Sequence, residues 1–338
     1  MKKYISLLFT LTLLAAAVLT GCSGDQAVTS SQPATTAAVD VNILALKGPT
    51  AMGMVKFMQD RDNQTITDHN YNFSIAAAID EVTPKLVQGQ VDIAAVPANI
   101  ASVLYNNTNG GVQVLAINTL GVLYLVETGN NIQTISDLKG KTIYASGKGA
   151  TPEYTLRYLL AQNGLDPDSD VNIEWKSEHS ECVAAVTAAE NAVAMLPQPF
   201  VTTAQTKNET LRVALDLTKE WDALQQNQAN PSSLITGVVV ARTAFVEQNP
   251  QAVQAFLQHY QASVSYVNSN LDQAAALIGQ YDIVPEAVAK KALPACNITF
   301  ISGSEMKTKL SGYLAVLNEQ NPQAVGGQLP ADSFYYGA

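Results

Sequence analysis

Basic side chains are scarce in this sequence. Lys and Arg together number 19 against 29 Asp and Glu, a formal net charge of −10. A chain this acidic is a poor match for the phosphate backbone of nucleic acid, and nucleic acid is not expected as a partner. Histidine is rarer still: His69, His179 and His259 each stand alone, and no His or Cys spacing has the pattern of a metal site. Neither a metal nor another cofactor is expected. Of the 3 cysteines, Cys182 and Cys296 lie near apolar stretches and read as buried free thiols, with nothing in their spacing to support a disulfide. The apolar run from Ile5 to Leu19 is shorter than the about 20 residues that a spanning helix needs. What remains, 338 residues that are 47% hydrophobic and 14% charged, suits a globular protein with room for two domains.

The pattern that is present is a strand followed by a loop followed by a helix, repeated along the chain. Val41 to Leu46 reads as a strand, Lys47-Gly48-Pro49 breaks it, and Thr50 is placed to cap a helix through Met52, Val55 and Met58. Tyr71 to Ala77 is a second strand, with Thr83-Pro84 as a further cap and first-turn proline. Val91 to Val96 is nearly all apolar, as a parallel strand buried on both faces should be, and Pro97-Ala98-Asn99 leads from it into a helix. Val112 to Ile117 is a fourth strand. Alternating strands and helices imply βαβ units on a parallel sheet, with ligands held beyond the carboxyl ends of the strands.

The stretch from Ser136 to Asp170 is the most informative. It contains a short strand at Thr142 to Ala145, a small-residue loop at Ser146 to Ala150, and a helix that Thr151 would cap and Pro152 would begin. Glycines at 147 and 149 allow close backbone approach, and the helix start offers N–H groups and a positive dipole end. Further strands are expected at Val171 to Trp175, Ala192 to Leu196 and Leu211 to Leu215. Pro197-Gln198-Pro199 forms a defined loop in which Gln198 can both donate and accept hydrogen bonds. Leu120 to Glu127 and Leu234 to Ala241 read as the two passages between domains, and the chain is mostly helical from Pro250 on. The terminal Phe334-Tyr335-Tyr336 is expected to pack on the first domain.

The words SDLKGKTI, the Ser146-to-Thr151 helix start SGKGAT and LRYLLAQNGLDPDSDV resemble the second domain of solute-binding proteins of ABC importers, most of all the nitrate/sulfonate/taurine group that also includes binders of thiamine-precursor pyrimidines. Lys85 to Pro97, Thr236 to Leu257 and the closing GGQLPADSFYY are similar too, so the resemblance runs from Val41 to Tyr336. It implies an α/β, two-lobed type II periplasmic-binding-protein fold with two crossover strands and a ligand cleft between the lobes. Lobe 1 would be discontinuous, 41–122 and 239–338, and lobe 2 would be 123–238. Carried over by position, the ligand residues are Gly48, Pro49, Thr50, Ala51 and Met52; Pro97, Ala98 and Asn99; Lys148, Gly149, Ala150 and Thr151; and Pro197, Gln198 and Pro199. Many relatives carry an acidic residue where this chain has Gln198.

Leu19-Thr20-Gly21-Cys22 resembles the bacterial lipoprotein signal. Residues 1–21 would then be a cleaved signal peptide, Cys22 the lipidated residue, and 22–40 a flexible Ser/Thr/Ala/Pro-rich tether. The implied protein is a monomer held to the outer face of a membrane, binding a small polar solute and delivering it to an ABC permease. Dipole ends favour an anion by about 0.3–1 kcal/mol each, whereas micromolar capture takes about 8 kcal/mol. Thr50, Asn99, Thr151 and Gln198 would therefore add hydrogen bonds. Lys148 would favour an anion, or else is a solvent-facing loop lysine; Glu153 reads as a partner of its own helix dipole. A sensory lobe docking on a receptor is a second reading. An enzyme is a third, since related folds include pyrimidine-synthesising and futalosine-pathway enzymes. No activated nucleophile or acid/base pair is visible in the sequence, and Ser146 has no evident histidine partner.

Overall fold

The computed structural model describes residues 38–226, 228 and 231–338. The expected signal peptide, Cys22 and nearly all of the expected tether lie outside the described residues. Within residues 38–338, which form one compact unit, eleven strands make two sheets. These are β1 (Asp40–Leu46), β2 (Asn70–Ala76), β3 (Ile93–Pro97), β4 (Val112–Leu120), β5 (Leu123–Thr128), β6 (Thr142–Ser146), β7 (Asn172–Lys176), β8 (Val193–Pro197), β9 (Leu211–Asp216), β10 (Ile235–Arg242) and β11 (Ile298–Ile301). The first sheet has the order β11-β4-β10-β3-β1-β2 and the second β7-β6-β8-β5-β9.

Both sheets are mixed rather than purely parallel. β1, β2 and β3 run parallel, as do β6, β7 and β8. β10 is antiparallel to β3 and β4, and β5 is antiparallel to β8 and β9. The reason is the path of the chain. It leaves the first sheet at the carboxyl end of β4 and enters the second through Gly121 and Val122, so β5 runs back against its neighbours. β10 re-enters the first sheet in the same manner. The two passages expected from the sequence are present, the first shortened to Leu123–Thr128 and the second shifted by one residue to Ile235–Arg242, and each is wholly a sheet member.

Alternate residues of β1 and β3 feed different cores. Leu44, Ala94 and Val96 join a core that extends through the second sheet to Leu156, Trp221 and Tyr313. Ile43, Ala45, Ile93 and Ala95 join a second core on the opposite face with Phe57 and Phe256. Burial on both faces is what selects the near-continuous apolar runs of these strands. Trp221 lies 4.7 Å from Tyr158 and 5.4 Å from Tyr313, so the Thr151–Gln162, Leu217–Gln225 and Gly303–Gln320 helices meet around one indole. The terminal aromatics pack on the first sheet as expected: Phe334 lies 5.2 Å from Tyr105, and the Tyr336 amide donates to the Val114 carbonyl. Cys182 and Cys296 are buried free thiols.

Three helix starts differ from the sequence expectation. Thr50 is inside a one-turn helix, Pro49–Met52, and its hydroxyl turns back to the Leu46 carbonyl at 2.7 Å. The next helix begins separately at Val55. Pro84 is interior to the Ile79–Val87 helix, whose first-turn Glu81 accepts from the Ala77 and Ala78 amides. Ala150, not Thr151, precedes the Thr151–Gln162 helix. At the Val55 helix the Ser263 hydroxyl accepts from the Phe57 amide, and at the other two starts Glu81 and Glu153 accept backbone amides, the role that a capping hydroxyl would otherwise fill.

Candidate functional site

The carboxyl ends of the parallel strands of both sheets, with the amino ends of the antiparallel β5 and β10, converge on one cleft. A narrow cavity of about 80 Å³ is bounded by Leu46 and Lys47 after β1, Pro97 after β3, Thr119 in β4 and Thr236 in β10. From the second sheet come Leu123, Pro197 and Phe200, with Pro152 and His179 at helix starts. Two wider cavities, about 320 Å³ and 360 Å³, flank it and share Lys47 and His179 with it. One carries Asp80, Ser146, Lys148, Lys176 and Glu178; the other carries Glu178, Thr203 and Asp282.

Lys47 is the central charge. It is half-buried, lines all three cavities, and has no ion pair among the described residues. Lys176 is paired with Glu174 at 3.2 Å and lies over the Tyr144 ring, while Lys148 is exposed. His179 is the second hub. Its Nδ1 is 2.5 Å from Ser146 Oγ, and its ring packs 4.9 Å from Phe200. Desolvation lowers its pKa to about 4, so the ring is neutral at ordinary pH. The expectation that Ser146 lacks a histidine partner is thus corrected: 33 positions separate the two residues, and adjacent parallel strands β6 and β7 close that gap. A base this weak is nonetheless poorly matched to activating a serine, because proton abstraction works best with a pKa near the operating pH.

The residues expected at the site divide into two groups. Pro49, Thr50, Pro97, Lys148, Ala150 and Pro197 line the cavities. Gly48, Ala51, Met52, Ala98, Gly149 and Pro199 are not among the lining residues, nor are Asn99, Thr151 and Gln198. The side-chain polar atoms of Asn99 and Thr151 are engaged by the protein, as is Oε1 of Gln198. Asn99 is fully buried and donates to the carbonyls of Gly149 (3.1 Å) and Ala324 (3.0 Å), while its Oδ1 accepts from Thr151 Oγ1 (3.2 Å). Gln198 Oε1 accepts from the Thr202 hydroxyl at 2.9 Å, and the Gln198–Pro199 peptide is cis. Glu153 accepts from the Gly149 amide at 2.6 Å and from Arg157 at 2.9 Å, so it partners its own helix start as expected. The sequence reading missed Lys47, Thr236, His179 and Phe200. A lysine at the end of a strand, immediately before the glycine of a βα loop, was the available signal for the first. Among the described residues no helix is long and apolar enough to cross a membrane, and no cluster of His, Cys, Asp or Glu could hold a metal ion.

With this geometry in place, comparison with known proteins defines the class. The family model described as the periplasmic substrate-binding protein of the phosphonate ABC transporter matches residues 64–283, more than half of the chain. The chain belongs to that family. Among solved structures it is similar to an ABC transporter protein from Parabacteroides distasonis, with a TM-score of 0.71 at 22% identity, covering 88% of this chain and 98% of that one. It is also similar to the alkanesulfonate-binding protein SsuA from Xanthomonas axonopodis pv. citri bound to MOPS, with a TM-score of 0.68 at 15% identity, covering 87% and 97%. The periplasmic aliphatic sulphonate binding protein SsuA from Escherichia coli gives a TM-score of 0.66 at 16% identity, covering 88% and 99%. No curated protein matches the sequence. The fold is therefore the two-lobed α/β architecture of periplasmic binding proteins, and the chain is a substrate-binding component of an ABC importer.

Proposed function

We propose that this protein captures a small organic oxyanion in the cleft and presents it to a membrane permease, while tethered to the outer face of the membrane through lipid on Cys22. The observation that carries the ligand class is Lys47, a half-buried ammonium with no carboxylate partner among the described residues, set at the junction of all three cavities. Leaving a partly desolvated cation unpaired is costly unless an anion arrives to complete it. Beside it lies an apolar wall, Leu46, Pro97, Leu123, Pro197 and Phe200, which suits a short hydrocarbon substituent. The family description and the neighbours' names, phosphonate and sulfonate, agree with such a molecule.

We take the lobes to be 41–122 with 239–338, and 123–238. The pairing of Ile235 to Val238 in the first sheet supports moving the second limit to the start of β10. Closure of the lobes around the ligand is driven by the contacts it makes only when both halves reach it. Asn99 reaches from a lobe 1 helix to Gly149 and Thr151 of lobe 2, so part of the closed contact is protein on protein. The chain acts as a monomer and not as an enzyme: the weak basicity of His179 argues against a serine nucleophile. Transport is preferred over receptor sensing because the family is one of importer components.

A thermal-shift screen of alkylphosphonates, alkanesulfonates, amino acids and pyrimidines tests the ligand class, since ligand raises apparent stability by mass action. Stabilisation by an oxyanion is expected; stabilisation confined to cationic or neutral compounds would end this reading. Cys22→Ala is expected to release the protein from the membrane fraction, and retention there would refute the anchor.

A further inference from the structure

We propose that the cleft selects singly charged oxyanions bearing a short apolar substituent and rejects the doubly charged form of the same head group. This rests on the oxyanion reading above and adds the charge state of the ligand to it. Three cations and three carboxylates face the site. Lys47 comes from the loop after β1, Lys148 from the loop after β6, and Lys176 from the end of β7. Asp80 faces them from the start of the Ile79–Val87 helix, Glu178 from the loop after β7, and Asp282 from the loop before the Glu286–Ala292 helix. Formal charges of cations and carboxylates along the walls therefore cancel.

Position decides the rest. Lys148 and all three carboxylates are exposed at the rim, where water screens them. Lys176 is occupied by Glu174 and the Tyr144 ring. At the inner end, Lys47 is the uncompensated charge, and the remaining polar groups are neutral. Thr236 Oγ1 is buried without a hydrogen-bond partner on a residue that lines the narrow cavity. The His179 ring lines the same cavity and is uncharged at ordinary pH. A Ser146 hydroxyl that donates to Nδ1 leaves that ring a neutral N–H donor. A monoanion thus meets one cation and neutral donors. A second negative charge would be desolvated with no further cation to receive it, and attraction to Lys47 alone does not return that cost.

Calorimetric titration with propanesulfonate and propylphosphonate tests the idea, because a sulfonate stays singly charged while a phosphonate gains a second charge as pH rises. Across the second ionisation of the phosphonate, sulfonate affinity is expected to move by less than about twofold, and phosphonate affinity to fall by about tenfold or more. Phosphonate affinity that holds or rises through that ionisation overturns charge selection and leaves oxyanion binding standing. A parallel fall for both ligands also overturns it, since the change would then belong to the protein. Failure of either probe to bind at any pH, beside a cationic or neutral compound that does bind, overturns both readings.

Discussion

Nearly the same word occurs twice in this chain, Lys47-Gly48-Pro49-Thr50 after β1 and Lys148-Gly149-Ala150-Thr151 after β6. Each follows a strand, opens a helix and faces the cleft from its own sheet. Their chemistry differs because of what packs on them. At the second junction, Glu153 takes the Gly149 amide, and Asn99 takes the Gly149 carbonyl and the Thr151 hydroxyl. Its lysine is exposed. At the first junction the Thr50 hydroxyl also turns inward, to Leu46, but no carboxylate reaches Lys47, which stays half-buried among three cavities. On the proposed reading the first junction offers its charge to a guest, while the second uses its polar groups to join the two halves of the protein. The similar words open helices at different points, Pro49 in one and Thr151 in the other, and the tertiary partners decide which groups stay free for a ligand.

Replacing Lys47 with Met breaks this contrast most severely. It removes the uncompensated cation and keeps most of the side-chain length against the apolar wall. Charge-assisted hydrogen bonds contribute about 1.5–3 kcal/mol, so oxyanion affinity should fall by roughly ten- to a hundredfold. The melting temperature of the ligand-free protein should barely change, because no protein partner is lost. Calorimetry with an alkanesulfonate, together with a thermal melt, reads both. A Lys47→Met protein that binds as tightly as the parent would move the charge of the site elsewhere.

Asn99→Ala attacks the other junction, and the effect should appear in stability. The substitution removes three hydrogen bonds and leaves the Gly149 carbonyl and the buried Ala324 carbonyl without this donor. A loss of about 1–3 kcal/mol in denaturant unfolding is expected. Ligand affinity should weaken by a similar factor for every ligand tested, because the residue is fully buried and its side chain is bonded across the lobes. A change in the ranking of ligands would instead show that Asn99 touches them, as the sequence had suggested.

The general position of the cleft was readable before any coordinates. The alternation of strand, loop and helix places ligands near strand ends, and the family resemblance names Pro49, Thr50, Pro97, Lys148, Ala150 and Pro197, which line the cavities. What could not be read was availability. Asn99 looks like a ligand group until the Ala324 carbonyl, 225 positions away, takes one of its protons. Ser146 looks unpartnered until β6 and β7 pair and bring His179 to it. Lys47 looks like a strand-breaking surface residue until segments around 77–80, 176–179 and 236 surround it. Periodicity and capping are local signals; satisfaction of a polar group is settled by contacts distant in sequence.

Glu153→Gln is a gentler probe of the same contrast. The neutral amide can still accept from the Gly149 amide, but the charge that faces both the helix start and Arg157 is gone. First-turn carboxylates favour a helix by about 0.3–1 kcal/mol, and a loss of that size is expected. The helix start would also become less negative, so oxyanion affinity should rise slightly or stay constant. A clear fall in affinity would mean that Glu153 contacts the ligand directly.

The smallest effect is expected from Lys148→Ala, the counterpart of Lys47→Met in the second junction. Its ammonium is exposed and has no ion pair among the described residues, so removal costs the fold nothing that a melt would detect. At the rim it attracts an anion only through screened solvent, and its contribution should shrink further as salt is added. Affinity should drop by less than about threefold at low ionic strength and by less at physiological salt, with the change carried by the association rate. A salt-insensitive loss as large as that of Lys47→Met would mean that the loop folds inward on the ligand. The two lysines would then act as a pair, and a site with two inner cations would accept the doubly charged head group after all.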